Sequence, residues 1–372
     1  MFFFVALLIW VSINAYFAWR VETLPFFKAP LAKHLFTAAV VFLALSYLFG
    51  RMLVHRGYRG FASFLEISGA VWMGVLFIFI IYLLFADILS LFGCFKALSV
   101  NLRYAALVIS CLLTIFSFIQ AYRTPAVREE KVLVDDPSLV GLRMVQISDL
   151  HLGVISGEKY LGRVVEKVNG QKPDIVVVTG DIIDTDGRDG KRFKELFRQI
   201  NAGKGVYAVL GNHEYYHGAE KNPAFFEESG MNLLRNSWAE PLKGLVIAGV
   251  DDLSAKKQFR NGGDFLAKAL ENRPEGFLVL MSHSPLEVEK ASKSGVNLML
   301  SGHTHSGQIW PFNFFSRMFY PYNYGKFEVG GMTLLVTSGT GTWGPPMRLF
   351  RRNEMVLITF IPSNPATGHG GS

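Results

Sequence analysis

Four long apolar runs in the first third of the chain constrain its architecture most. Residues 1–19 carry no charge, and neither do residues 35–50, 67–86 (ISGAVWMGVLFIFIIYLLFA) or 104–122 (YAALVISCLLTIFSFIQAY). A helix needs about 20 apolar residues, within roughly 17–25, to cross the hydrocarbon core of a bilayer. The first, third and fourth runs meet that length. The second does so when Leu31 and Ala32 extend it and Lys33 and His34 sit at the interface. Trp10, Trp19, Tyr47, Tyr82, Tyr104 and Tyr122 suit the two interfacial belts. The first run lacks a basic leader and a small-residue cleavage site, so it reads as a retained helix. The expectation is an all-α transmembrane region over residues 1–123, with helices near 1–19, 31–50, 67–92 and 104–122.

Charge follows the same division. Residues 1–123 carry nine Lys/Arg and three Asp/Glu, whereas residues 124–372 carry 28 and 27. The basic excess therefore belongs to the apolar third, and a nucleic-acid partner, which would want a basic patch on the soluble part, is not expected. Four spans place both chain ends on one side. With the ends inside, cytoplasmic loops hold Arg51, Arg56, Arg59, Arg123 and Arg128; with the ends outside, they hold Arg20, Lys28, Lys33, Lys96 and Arg103. The two counts nearly balance, and the reading leans to the cytoplasm. Asp87 is the one candidate intramembrane carboxylate; it stands near a helix end and is expected at the interface, not on an ion path. Cys94 and Cys111 lie in apolar runs, with no zinc spacing and no disulfide framework.

Thr124-Pro125 ends the last apolar helix. Residues 124–141 read as a linker and first extended segment, 142–361 as a second domain, and 362–372 as a flexible tail in which His369 is not a ligand. Within 142–361, short apolar runs recur at Leu142–Ser148, Asp174–Thr179, Gly205–Leu210, Leu245–Val250, Gly276–Met281 and Val296–Leu300, with amphipathic stretches such as Glu158–Asn169 and Lys191–Ala202 between several of them. Strands alternating with helical stretches define an α/β fold. Met332–Thr337 and Met355–Ile361 read as hairpin strands closing the domain.

Ligand sites in such sheets lie beyond the carboxyl ends of the strands. Asp149-Leu150-His151, Gly180-Asp181-Ile182-Ile183-Asp184, Gly211-Asn212-His213-Glu214, Ser282-His283 and Gly302-His303-Thr304-His305 each follow such a run. Any one of these is weak, since a lone histidine after a strand is more often structural. Together they hold five of the nine histidines. Imidazole and carboxylate ligands suit Mn, Fe and Zn. Two such ions, about 3.5–4 Å apart, can clamp the attacking and leaving oxygens of an in-line displacement at phosphorus and lower the pKa of a bound water. A neighbouring histidine can protonate the departing oxygen.

The ordered set D-x-H, G-D-x-x-D, G-N-H-[ED], H and G-H-x-H resembles the calcineurin-like metallophosphoesterases over residues 142–361. The resemblance implies a four-layer αββα sandwich, here preceded by the four-helix transmembrane region, and two divalent metal ions, Mn foremost, with Fe or Zn as alternatives. It implies that Asp149, His151 and His305 hold the first metal, that Asp181 bridges, and that Asn212, His283 and His303 hold the second. It further implies that His213 is the acid beside the leaving group and that Asp184 orients it. The sequence Ser301-Gly-His-Thr-His-Ser-Gly-Gln-Ile309 resembles that of bacterial membrane-associated members, some of them similar to UDP-2,3-diacylglucosamine hydrolases; Ser306 stands where those have Gly. Leu234-Arg235-Asn236, Gly249-Val250-Asp251 and Ser338-Gly339-Thr340-Gly341 share their style.

Eight of the fifteen residues from Trp310 to Tyr324 are aromatic. Pro311 and Pro321 argue against a helix or central strand there. The segment reads either as a loop at the site mouth touching lipid or as one packed on protein. Arg317 and Arg235 could meet substrate phosphate, though surface ion pairs are the commoner use of Arg. The function expected is hydrolysis of a phosphodiester or pyrophosphate bond in a phosphorylated lipid or lipid-linked substrate at a bacterial inner membrane, with the bilayer itself as a partner. The alternatives are a tethered protein phosphatase or nucleotide phosphodiesterase acting on soluble substrates, and, more remotely, a non-enzymatic sensor or scaffold.

Overall fold

The computed structural model describes residues 2–56, 58, 60–185, 190–221, 223–255 and 263–363. Residues 364–372, including His369, lie outside the described residues. The chain divides into two compact units: Met1–Tyr122 with Gly344–Leu349, and Arg123–Trp343 with Phe350–Ser372.

The first unit is built from α1 (Phe2–Glu22), α2 (Pro30–His55), α3 (Phe61–Leu89) and α4 (Lys96–Tyr122). All four are long and apolar enough to cross a membrane. They are apolar all round, as spanning helices are. Phe17, Trp72, Leu76 and Leu83 are buried in the bundle, while Leu8, Val11, Phe42 and Ile115 face outward. Trp72 Nε1 donates to Asn14 Oδ1 at 2.9 Å, so the buried indole and amide satisfy each other. The segment Gly344–Leu349 belongs to this unit, and the Arg348 backbone N–H donates to the Ser117 carbonyl at 2.9 Å.

Asp87 stands two residues from the end of α3. It is fully buried, with Arg20 Nε at 2.5 Å, Arg103 Nη2 at 3.1 Å and the Tyr16 hydroxyl donating to it at 2.6 Å. Helix α3 continues past it to Leu89, and two arginines that the sequence assigned to loops turn inward to meet it. Asp87→Asn would leave two buried guanidinium groups around an uncharged amide. Breaking a buried pair costs about 3–5 kcal/mol, so the variant in detergent should aggregate at a lower temperature than wild type. An unchanged aggregation temperature would show that the cluster carries no stability.

The second unit contains β1 (Ala126–Val134), β2 (Arg143–Ile147), β3 (Ile175–Thr179), β4 (Val206–Val209), β5 (Asn232–Leu233), β6 (Ser237–Leu242), β7 (Leu245–Gly249), β8 (Phe277–Met281), β9 (Leu298–Ser301), β10 (Gly325–Val329), β11 (Met332–Val336) and β12 (Glu354–Pro362). They form two six-stranded mixed sheets, in the orders β1-β12-β2-β3-β4-β5 and β10-β11-β9-β8-β7-β6. Both faces of each sheet are covered, which is why the central strands read as continuous apolar runs. Ile175 and Val177 of β3 point between the sheets with Leu245 and Ile247 of β7. Val176 and Val178 point to the outer helices of the first sheet, among them Glu158–Asn169, which buries Leu161, Val164, Val165 and Val168. Val246 and Ala248 point to the outer helices of the second sheet. The result is the four-layer αββα sandwich.

The extended segment expected within 124–141 is β1, which pairs in parallel with β12 from Ala126↔Glu354 to Val134↔Pro362. One sequence expectation is corrected here. Strands β11 and β12 do not form a hairpin: β11 pairs with β9 and β10 in one sheet, and β12 with β1 and β2 in the other. Adjacent apolar runs look like a hairpin in sequence, but the segment between these two includes Gly344–Leu349, which belongs to the first unit.

Candidate metal centre

The sequence-derived site residues stand on the turns after β2, β3, β4, β8 and β9. These turns are sharply bent. Asp149, His151, Asp181, His303 and His305 all have positive φ, between 47° and 71°. Such backbone costs of order 1 kcal/mol per residue and persists where the surroundings over-determine it. Close approach is the reason for the glycines beside them. A Cβ on Gly302 would collide with Ser148 Oγ and Asp149 Oδ2, and one on Gly211 with Asp181 Oδ1.

Three groups of side chains converge, each with its ligand atoms within 4.8 Å of one another: Asp149, His151 and His305; His151, Asp184 and His213; and Asp181, His283 and His303. In the first, His151 Nε2 lies 3.0 Å from His305 Nε2, and His305 Nε2 lies 3.4 Å from Asp149 Oδ1. In the third, His283 Nε2 faces Asp181 Oδ2 at 3.1 Å, Asn212 Oδ1 at 3.2 Å and His303 Nδ1 at 3.2 Å. Asp181 Oδ2 also lies 3.7 Å from His151 Nε2, so this carboxylate stands between the two groups. All nine residues singled out from the sequence are thus brought into one cluster. Asp184 does more than pair with His213. Its Oδ1 accepts from His213 Nδ1 at 2.9 Å and from His151 Nδ1 at 3.0 Å.

The donor chemistry fits divalent cations. His283 Nδ1 donates to the Thr179 carbonyl at 2.7 Å, which leaves Nε2 with the lone pair in the neutral ring. That lone pair faces the carboxylate and amide oxygens of Asp181 and Asn212. His151 repeats the pattern, its Nδ1 on Asp184 and its Nε2 toward His305 and Asp181. Acceptors converge in this way around positive charge. The electrostatics agree: burial alone would lower His151, but Asp184, Asp181 and Asp149 hold it up at about 9. Burial opposes His283 likewise, and Asp181 leads the carboxylates that hold it well above the usual imidazole range. Asp184, despite burial, is held far below the usual carboxylate range by His151 and His213.

Three further residues support the cluster and were given no role from sequence. Glu214 is fully buried and accepts from four backbone N–H groups: Gly211, Asp181, Ile182 and Ile183, at 2.7–3.1 Å. Burial and the Asp181 carboxylate push its pKa up to about 7 against those donors. The legible signal was a glutamate three residues after Gly211, the spacing of a capping box. Asp252 accepts from Ser284 Oγ at 2.5 Å and Ala255 N at 2.7 Å, fixing the turn that carries His283. Tyr320 places its hydroxyl 2.6 Å from His303 Nε2. Arg235 forms an ion pair with Asp251 at 2.9 Å, the commoner of its two sequence readings.

Ser306 has φ 50°, a conformation glycine adopts freely. Ser306→Gly is therefore expected to stabilise the catalytic unit by roughly 0.5–1 kcal/mol. That is a melting shift of about 1–4 °C upward. A lower melting temperature would show that the serine hydroxyl, not the backbone, decides this position.

An αββα sandwich with a buried His/Asp/Asn cluster at the ends of its central strands defines a metal-dependent phosphoesterase architecture. The model of the calcineurin-like phosphoesterase family matches residues 142–307. An uncharacterized metallophosphoesterase of Aquifex aeolicus is 32% identical over 257 residues, covering 68% of this chain and 97% of that protein. One of Campylobacter jejuni is 35% identical over 255 residues, covering 68% of this chain and 67% of its own. A transmembrane protein with metallophosphoesterase domain from Danio rerio is 34% identical over 269 residues, covering 68% and 61%. The chain belongs to the calcineurin-like metallophosphoesterase family, and it is a membrane protein with four candidate spans. The family and the clusters imply divalent metals.

Proposed function

We propose that this protein is a dinuclear-metal hydrolase of phosphodiester or pyrophosphate bonds in a phosphorylated lipid or lipid-linked substrate, such as a UDP-diacylglucosamine-like molecule. The carrying observation is the coupling of the cluster to the spans by the chain itself. Only Arg123, Thr124 and Pro125 separate α4 from β1, so the catalytic unit works tethered to a lipid surface. Asp149, His151 and His305 would hold one ion, Asn212, His283 and His303 the other, and Asp181 both. Two divalent ions held there, Mn²⁺ in this reading, would supply a bound water of lowered pKa and positive charge for the phosphoryl oxygens. His213, held by Asp184, would give its proton to the leaving oxygen. The turn backbones, locked by Glu214 and Asp252, keep these groups in place without reorganisation.

A bacterial inner-membrane location with the catalytic unit on the cytoplasmic side goes with this reading.

The test is mass spectrometry of total bacterial membrane lipids and UDP-diacylglucosamine after incubation with full-length protein and Mn²⁺, with Asp181→Asn as control. Loss of one lipid species with wild type alone supports the proposal. Hydrolysis of a small chromogenic diester with no lipid change would sink the lipid substrate in favour of soluble ones.

A further inference from the structure

The aromatic segment after the last metal-ligand turn contains a helix, Phe312–Phe319, where its two prolines argued against one. Pro311 precedes the first helical residue and Pro321 follows the last, so neither interrupts the ladder. The helix is inverted relative to a water-soluble surface helix. Its inner side is polar: Ser316 is buried and donates to Asn323 Oδ1 at 2.7 Å, and Tyr320, one turn on, reaches His303. Its outer side is apolar. Phe312, Phe314 and Phe315 are about half exposed, and Met318 and Phe319 are 77% and 76% exposed. A soluble helix turns its charged face outward, and a contiguous outward apolar face marks an interaction site.

The occupant that fits is lipid. Trp310, in the same segment, packs its ring against Phe350 at 6.0 Å, and Phe350 and Trp343 are the residues at which the chain leaves and enters Gly344–Leu349, the segment grouped with the membrane helices. The patch is thus joined by covalent chain to a segment of the unit that holds the four candidate spans. Arg317, exposed on the same helix, can keep its charge among headgroups.

The helix is also fastened to the metal-ligand turn. Tyr320 bonds His303, Thr304 Oγ1 donates to the Asn323 carbonyl at 2.6 Å, and Gly307 lies so close to Asn313 that a Cβ would collide with its backbone. We propose that Phe312–Phe319 seats its apolar face in the bilayer surface and that Tyr320, as a positioning residue, transmits this seating to His303 and so to the second metal position. The seating rests on the membrane location and the coupling on His303 as a metal ligand, and neither depends on which phosphoester is the substrate.

Full-length protein in nanodiscs of anionic phospholipid tests it. Cys94 and Cys111 are replaced by alanine, and a nitroxide is placed at Met318→Cys or, as a control on exposed strand β10, at Glu328→Cys. Oxygen should relax the spin at 318 more than a water-soluble nickel chelate does, with the reverse order at 328. Nickel access at 318 equal to that at 328, or protection from both reagents as at a protein interface, overturns the seating. Metal retention during chelator titration then reads the coupling. Tyr320→Phe should release one of two metals at about 10- to 100-fold lower chelator, with the 318 label unmoved and the melting temperature of the metal-free protein unchanged. Phe315→Ser/Met318→Ser/Phe319→Ser should release the same metal early in nanodiscs. Wild-type retention of both metals by either variant overturns the coupling.

Discussion

Asp181→Asn is expected to lower kcat/KM by about 10³-fold or more, a loss of ~4 kcal/mol of transition-state stabilisation. The substitution is nearly isosteric. Asn can keep the oxygen that accepts the His213 backbone N–H at 2.9 Å, so the start of that helix should survive. What it removes is the negative charge between His151 Nε2 and His283 Nε2, at 3.7 and 3.1 Å. Asp181 leads the carboxylates that hold His283 above the usual imidazole range, so its loss also removes the main attraction for positive charge at the centre of the cluster. The variant should therefore bind fewer than two ions per chain by elemental analysis, with the fold retained by circular dichroism. Two tightly held ions and more than a tenth of wild-type activity would remove Asp181 from the bridging role.

Much of this centre was legible before any coordinates, for a definite reason. A sheet buried on both faces forces its strands to be apolar, and the chemistry must then lie where the strands stop. Asp149, Asp181, Asn212, His283 and His303 each stand two or three residues past a strand end. Asp252 and Tyr320 were not legible as participants, because they act through backbone amides or through another side chain, and nothing in a residue's identity shows which group it will reach; for Glu214 the capping-box spacing showed the Gly211 amide but not those of Asp181, Ile182 and Ile183. The partners of Asp87 were hidden for a related reason. A local reading sees an acid near the end of an apolar run, whereas its partners Arg20 and Arg103 are 67 and 16 positions away and meet it only when the helices pack. The aromatic segment was misread because prolines were counted without their position: each lies outside the single short helix between them. The strands β11 and β12 were paired by proximity in sequence, although β12 returns to the sheet begun by β1.

Glu214→Gln is expected to damage stability more than any other single-atom change near the site. The carboxylate is fully buried, and each oxygen serves two donors: Oε2 accepts from Gly211 N at 2.7 Å and Asp181 N at 3.0 Å, and Oε1 from Ile182 N at 2.7 Å and Ile183 N at 3.1 Å. Gln keeps one oxygen and puts an amide NH₂ in place of the other. Two buried backbone N–H groups would then face a donor. Each unsatisfied buried donor costs roughly 1–3 kcal/mol, so the sum is about 2–6 kcal/mol. For a unit of this size that is a fall in melting temperature of roughly 5–20 °C. The turns that Glu214 ties together carry Asp181 on one side and Asn212 and His213 on the other, so metal retention should fall with stability. Calorimetry of full-length protein in detergent, with and without Mn²⁺, separates the two effects. A drop persisting in metal-free protein locates the damage in the backbone network itself. A melting temperature within a degree or two of wild type would mean that Glu214 is already protonated in the native protein, since a neutral acid also presents only one full acceptor, and the four-donor arrangement would then contribute little.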